Sequence, residues 1–371
     1  MASRIVVFGA TGFTGQLVAR SLVSRGVRPV LAARSAEKVE RLAADLGGLP
    51  TALADVSRPG SVRALVERGD VLVATVGPFV EWGAAAVEAA AAAGAHYLDS
   101  TGEPAFIRQV YDRYGPEARR ADSVLLTAFG FDWVPGHVAA GLALREAGPD
   151  AVRVDIGYLS LDSGISGGTK ASSARAALEP SFGFRNGQLR SERTGGRIRS
   201  FTLDGRQRRW AFSVGGTEHF GLPKHYPSLR EVNVMLAGAG PATTRAMPAV
   251  TLALAGIGAV EPLRRGLINL IRERVSGSTG GPDAESRQRS GSLIVAEAFA
   301  GDGQLLHRAT LSGVNAYDFT GDLLAWGAIQ AADGAITQAG VLDPISAFGL
   351  DPLTTGVAEA GIQLSTSRGA I

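Results

Sequence analysis

"RIVVFGATGFTGQLVARSL", residues 4–22, decides how the rest of the chain is read. Ile5-Val6-Val7-Phe8 is a short apolar run of the kind buried in a parallel sheet. Gly9, Gly12 and Gly15 follow at GxxGxxG spacing, and Leu17, Val18 and Leu22 then fall on one helical face. A tight turn of this kind lets the backbone approach a pyrophosphate, and the helix N-terminus adds unpaired N–H groups and a favourable dipole. The alternative is a strand-to-helix corner that holds no ligand.

The same rhythm continues. "RPVLAARS" (28–35) predicts a second strand and "AEKVERLAADLG" (36–47) a second helix ended by Gly47. "TALADV" (51–56), a helix near 60–68 and "VLVATVG" (71–77) repeat it. "WGAAAVEAAAAAGAHYLD" (82–99) predicts a crossover helix stopped at Gly94, because alanine has the highest helix propensity. "HYLDST" (96–101) and "SVLLTAFG" (123–130) complete the strands. Strands alternating with helices imply right-handed βαβ units in a doubly wound parallel sheet.

The end of the second strand bears on which dinucleotide fits. A site for NAD places a carboxylate there, bonded to the ribose 2′-hydroxyl. Here Ala33-Arg34-Ser35 stands in its place, with Lys38 one helical turn later. Two cations and a hydroxyl suit a 2′-phosphate, which favours NADP(H); the plainer reading is that both are solvated surface charges. Asp55-Val56, ending the next strand, is placed to flank the adenine. "TVGPF" (75–79) brings Val76, Gly77, Pro78 and Phe79 to the carboxyl end of the fourth strand, where the nicotinamide half belongs.

After about residue 135 the pattern changes. "VRVDIGYLSL" (152–161) and "RSFTLDG" (199–205) alternate as half-buried strands do, so a second α+β domain on a mainly antiparallel sheet is expected. Residues 244–275 predict two apolar helices parted near Glu261-Pro262. "GSLIVAEAFAGDGQLLHRATLSG" (291–313) predicts a hairpin turning at Gly301-Asp302-Gly303, and "FTGDLLAWGAIQAA" (319–332) a helix. The domains divide as 1–137 and 138–340, with a tail of about 340–371 returning to the first.

Composition sets limits. The 371 residues are 45% hydrophobic, enough for a substantial core in two domains. A net charge of +2 gives no global basic face for nucleic acid. The absence of cysteine rules out disulfides and thiolate chemistry and fits a cytoplasmic protein. The run "AMPAVTLALAGIGAV" (246–260) falls short of a membrane span of roughly 18–20 residues, and the N-terminus lacks a secretory signal pattern. No metal-binding motif is found, the five histidines being scattered at 96, 137, 219, 225 and 307. No Tyr-x-x-x-Lys pair supports a tyrosine-based mechanism.

The ordered motifs "VFGATGFTG" (7–15), "AARSAEK" (32–38), "VGPFVEWG" (76–83), "HYLDSTGEP" (96–104) and "GFDWVPGH" (130–137) resemble the saccharopine-dehydrogenase-like reductases, especially their actinobacterial trans-acting enoyl reductase branch. "SGGT" (166–169), "NAYDFT" (315–320) and "GVLDPISAFG" (340–349) extend the likeness. The resemblance implies a Rossmann domain, a second α/β domain, NADP(H) binding and hydride transfer. It assigns Gly9, Thr11, Gly12, Phe13, Thr14 and Gly15 to the phosphate loop, and Arg34 and Ser35 to the adenosine-phosphate end. Gly77, Pro78 and Phe79 fall on the nicotinamide side, with Thr101, Gly102 and Glu103 at the next strand end. His137 departs from the family, which often carries Asp at that position.

A reductase needs a proton source or a stabiliser of developing charge. The candidates are Asp132, His137, Lys170 and Tyr317; histidine is attractive because its reference pKa is about 6.5. For Asp132 the competing role is loop orientation, and for Glu103 it is capping a helix that starts near Pro104. Eight arginines between Arg185 and Arg209 offer a dock for a phosphopantetheine group or an acidic carrier protein; the alternative is an ordinary charged hairpin. The apolar helices 246–260 and 266–271 are read as core or a homodimer interface, with an acyl tunnel or membrane contact as alternatives. The expected activity is NADPH-dependent reduction of an activated C=C bond in an enoyl thioester or related lipid or polyketide intermediate. The alternatives are imine reduction or saccharopine-type secondary-amine oxidation, and a membrane- or lipid-associated NADPH-binding protein without turnover.

Overall fold

A computed structural model describes residues 3–159, 179–203, 207–237, 240–258, 262, 265–266 and 280–365. The first sheet is wholly parallel. Its strands β1 (Ile5–Phe8), β2 (Val30–Ala33), β3 (Thr51–Leu53), β4 (Val71–Ala74), β5 (His96–Asp99) and β6 (Val124–Leu126) alternate with helices. Those helices are α1 (Phe13–Ser24), α2 (Ala36–Asp45), α3 (Pro59–Arg63), α4 (Phe79–Trp82), α5 (Ala84–Ala93), α6 (Pro104–Arg113) and α7 (Gly115–Ala121). The order β6-β5-β4-β1-β2-β3 places a chain reversal between β1 and β4, where α/β sheets bind ligands. Central strands β1 and β4 are buried along their whole length, which explains their unbroken apolar sequence. Gly94 ends α5 in the left-handed conformation, as the alanine-rich stretch predicts.

Helix α8 (Val134–Ala147) leads into a second, mixed sheet. Its strands are β7 (Arg153–Tyr158), β8 (Pro180–Arg185), β9 (Gln188–Arg193), β10 (Ile198–Leu203), β11 (Gln207–Ser213) and β12 (Glu231–Ala237), with β13 (Ser292–Phe299) and β14 (Leu305–Gly313). Every pairing is antiparallel except β7 with β12. Helix α8 lies on β7, β13 and β14 and joins the two layers through one apolar core. Helices α9 (Glu218–His225), α10 (Pro241–Gly258) and α11 (Ala284–Arg289) occupy the connections.

The last quarter of the chain serves both sheets. Helix α12 (Ala316–Ala332) packs on α1, where Gly321 leaves room only for the Leu17 backbone and Cβ, and Ser21 donates to Asp322 at 2.6 Å. Strand β15 (Gly340–Val341) extends the parallel sheet beside β6. Helices α13 (Pro344–Phe348) and α14 (Leu350–Glu359) follow, and β16 (Ile362–Leu364) joins β14 in the second sheet.

Several predicted elements are shorter than their sequence signal. The strand expected over 123–130 stops at Leu126, because Ala128 adopts φ 57° and turns the chain. Asp99 holds that turn by accepting the Ala128 amide at 2.9 Å. The helix expected near 60–68 is the short α3. Of the two apolar helices, the first is α10; most of the second, 266–271, lies outside the described residues. No helix among the described residues is long and apolar enough to cross a membrane.

Candidate functional site

The glycine turn is shaped for close backbone approach. Gly9 has φ 89°, and its amide donates to the Ala32 carbonyl at 2.9 Å. A Cβ at Gly9 would stand 2.7 Å from Thr75 Oγ1, and one at Gly15 would overlap the Gly9 carbonyl oxygen. Helix α1 has Gly12 as its N-cap, which offers no side-chain cap. Its first amides are therefore available to an anion, and the bare cradle fits a dinucleotide diphosphate. Within this turn, the Thr11 carbonyl accepts from Gln16 Nε2, and Thr14 is half-buried. Phe13 is clasped from outside: Tyr317 meets its ring edge-on at 5.2 Å, the Arg287 guanidinium lies 5.6 Å from its centroid, and Gly281 closes against it. Tyr317 thus stands at the glycine turn.

At the end of β2, Arg34 and Lys38 are exposed. The Ser35 hydroxyl accepts from the Lys38 amide at 3.4 Å and caps α2. Asp55 lies across from them. Backbone and side-chain hydrogen bonds from Ser57 hold its carboxyl below the usual range, helped by the charges of Arg58 and Arg34. Val56 beside it is half-buried.

The ends of β4 and β5 are tied together by Glu103. Its carboxylate accepts the Phe79 amide at 2.8 Å and the Val80 amide at 2.9 Å, so it caps α4. This corrects the expectation that Glu103 caps the helix it precedes: it makes no side-chain cap to α6. The bond shapes the Val76-Gly77-Pro78-Phe79 turn from below. Thr101 Oγ1 accepts the Glu103 amide, and the Thr101 amide donates to Asp99. Burial pushes the Asp99 carboxyl up to about 6, against the hydrogen bonds from Ala128, Thr101 and Thr127 that favour its charged form.

Gly102 leads from this cluster to Asp132, since a Cβ at Gly102 would lie 2.7 Å from Asp132 Oδ2. Asp132 is half-buried, and among the described residues no hydrogen bond offsets the effect of burial on its carboxyl. Burial raises its carboxyl to about 6. A partly accessible carboxyl with a raised pKa, at the carboxyl end of β6, is a credible acid.

His137 sits differently from its sequence expectation. On the buried face of α8 it has no exposed surface, and Nε2 lies 3.1 Å from Thr217 Oγ1. Burial lowers it to about 4, leaving a neutral ring near pH 7. An enclosed imidazole, neutral near pH 7, is poorly placed to deliver a proton to a substrate. Lys170 and the "SGGT" motif (166–169) lie outside the described residues.

The buried side of the Asp132 turn holds a pair that the sequence did not suggest. Tyr158 Oη lies 2.7 Å from Glu218 Oε1 and 2.8 Å from the Trp133 carbonyl oxygen. Burial raises Glu218 to about 8. Sixty residues separate the two in sequence, and neither stands in a chemical motif.

The arginine-rich segment also needs revision. In the second sheet, Asn233 on β12 and Glu297 on β13 flank Asp155 on β7, making a polar row across three strands. Arg185 pairs with Glu231 at 2.7 Å and Arg197 with Glu192 at 2.8 Å; Arg199 pairs with Asp155 and with Glu297. These three arginines are neutralised within the sheet. Arg190, Arg193, Arg208 and Arg209 remain exposed, and Arg206 lies outside the described residues.

Comparison with known proteins gives these sites a context. Residues 5–126 match the model described as the saccharopine dehydrogenase NADP binding domain. A trans-acting enoyl reductase of Mycobacterium ulcerans (strain Agy99) is 36% identical over 152 residues, covering 39% of this chain and 36% of that protein. One from Mycobacterium leprae (strain TN) is 26% identical over 410 residues, covering 98% and 97%. The matches of higher identity span less than half the length of those relatives. Among solved structures, saccharopine dehydrogenase (L-Glu forming) from Saccharomyces cerevisiae aligns over 98% of this chain and 99% of its own, with TM-score 0.59 and 14% identity. That likeness establishes the fold.

Proposed function

We propose, for a chain whose residues 5–126 match the saccharopine dehydrogenase NADP binding domain, an NADP(H)-dependent oxidoreductase that reduces the C=C bond of an enoyl thioester. The observation that carries the reaction is the placement of Asp132, a half-buried carboxyl with a raised pKa, beside Gly102 in the loop following β5. The full-length likeness to a trans-acting enoyl reductase supports the choice of substrate class.

The glycine turn and the first amides of α1 would hold the diphosphate of the cofactor, and Arg34 and Lys38 its 2′-phosphate. Val76 to Phe79, with Thr101 and Gly102, would line the nicotinamide side, held in shape by Glu103. When bound, NADPH supplies the hydride that adds to the β-carbon of the thioester. Asp132 in its protonated form then gives a proton to the α-carbon and becomes a carboxylate. Its raised pKa keeps a protonated fraction at neutral pH, and a substrate that displaces water from the cleft increases that fraction. Exposed Arg190, Arg193, Arg208 and Arg209 offer a steering surface for an acidic carrier protein bearing the acyl chain.

The test is NADPH oxidation against matched panels of enoyl thioesters and cyclic imines. Turnover of the thioesters is expected. Turnover of the imines alone would overturn the C=C reading and leave an imine reductase. No oxidation of NADPH by either panel, with the protein recovered on floated vesicles, would favour a lipid-associated binding protein.

A further inference from the structure

Three contacts converge on the Tyr158 hydroxyl oxygen. The Gly136 amide donates to it at 2.9 Å, the Trp133 carbonyl oxygen lies at 2.8 Å, and Glu218 Oε1 lies at 2.7 Å. A peptide amide can only donate, a carbonyl can only accept, and a tyrosine hydroxyl owns one proton. If that proton goes to the Trp133 carbonyl, the Glu218 contact is a hydrogen bond only when Glu218 supplies the proton. If it goes to an ionised Glu218 instead, two bare oxygens face each other across 2.8 Å.

A second observation agrees. Glu218 Oε2 is fully buried and makes no well-formed hydrogen bond, and the pull of the residue's own backbone amide toward the ionised form is outweighed by burial. An ionised carboxylate spreads its charge over both oxygens and needs donors at each, whereas the carbonyl oxygen of a neutral acid is far less costly to leave bare. The enclosure leaves no space for water at either oxygen from the glycine side, since a Cβ at Gly136 or Gly216 would overlap the carboxyl. The direction in which burial drives this group is the same.

We propose that Glu218 is a neutral carboxylic acid that donates to Tyr158 and, through the Tyr158 bond to the Trp133 carbonyl, acts as the positioning residue for the turn carrying Asp132. Glu218 touches no reacting atom in this scheme. Its lack of charge has a further effect: the ionisation of Asp132 meets no second negative charge beneath the turn. The positioning role rests on the reading of Asp132 as proton donor; the protonation of Glu218 does not.

Infrared difference spectroscopy on the full chain at pH 7 tests the proton. Wild type minus Glu218→Gln should show a protonated-carboxyl C=O band lost on substitution. Loss of ionised-carboxylate bands instead would overturn the proposal. Tyr158→Phe should keep the band and move it to higher frequency, because the acid loses its acceptor; an unmoved band would overturn the pairing. For the positioning role, NADPH oxidation is compared in Glu218→Leu and Glu218→Gln. The leucine variant should lose roughly ten- to a hundredfold in kcat with little change in KM for NADPH. The glutamine variant, which keeps an N–H toward Tyr158, should recover a substantial part of that loss. Equal losses in both would overturn the positioning role. The infrared measurement needs no substrate, so its result stands whether or not the enoyl reductase reading survives.

Discussion

Glu103 and Phe79 are joined across two strand ends, the carboxylate of one accepting the backbone amide of the other at 2.8 Å, while its second oxygen takes Val80. Glu103→Gln keeps the size of the side chain but replaces one acceptor oxygen with a donor that faces an amide. The expected loss is about 1.5–3 kcal/mol of stability, read by denaturant unfolding, with weaker NADPH binding because the Gly77-Pro78-Phe79 turn loosens. A variant with wild-type stability and affinity would show that the turn holds its shape without this bond.

Arg34→Ala should weaken NADPH binding about ten- to a hundredfold and leave NADH binding nearly unchanged, the loss expected for charge-assisted hydrogen bonds to one phosphate. Fluorescence titration with both nucleotides measures the ratio. Equal changes for the two would remove Arg34 from 2′-phosphate recognition.

Asp132→Asn should lower kcat by about two to four orders of magnitude while NADPH affinity stays within about twofold, since general-acid catalysis contributes on that scale. Single-turnover kinetics and a binding titration separate the two effects. A kcat that survives the change would move the proton-donor role elsewhere.

Stability should fall as pH rises from about 7 to 8. Glu218 titrates near 8 in the folded chain and near 4.5 when unfolded, so within this window the folded state holds a proton that the unfolded state has released. The slope from one such group is about −1.4 kcal/mol per pH unit. Asp99 and Asp132, raised to about 6, act with the same sign only at lower pH. His96, His137 and His219, all lowered by burial, act with the opposite sign, and their contribution fades only above about pH 7 as the unfolded imidazoles finish losing their protons. Unfolding curves of wild type and Glu218→Gln between pH 7 and 8 provide the check: the substitution should flatten the slope.

What the sequence revealed was local in origin. The apolar run Ile5-Val6-Val7-Phe8, the spacing of Gly9, Gly12 and Gly15, the Gly94 stop and the hairpin at Gly301-Asp302-Gly303 each rest on neighbours within a few residues. What stayed hidden depends on register between distant strands. Arg199 looked like a free cation until β7 and β13 brought Asp155 and Glu297 to it. The burial of His137 is set by α8, which turns it inward toward Thr217, eighty residues on. Glu103 was expected to serve the nearest helix and instead reaches α4, twenty-four residues back. The Tyr158–Glu218 pair had no local signature at all, because its meaning comes from sharing one hydroxyl with the Trp133 carbonyl.

The return of the chain to its first sheet limits how this protein can be recombined. Helix α12 covers α1 through Gly321 and Asp322, and β15 borders β6, yet both are encoded some two hundred residues downstream of the sheet they complete. A fragment ending near residue 137 would carry every glycine of the nucleotide turn and still lack the wall behind it. Exchanging the cofactor half with that of another protein therefore requires two inserts, one for each stretch of the gene. A single-cut chimera would be expected to misfold even when its splice point lies in an exposed loop.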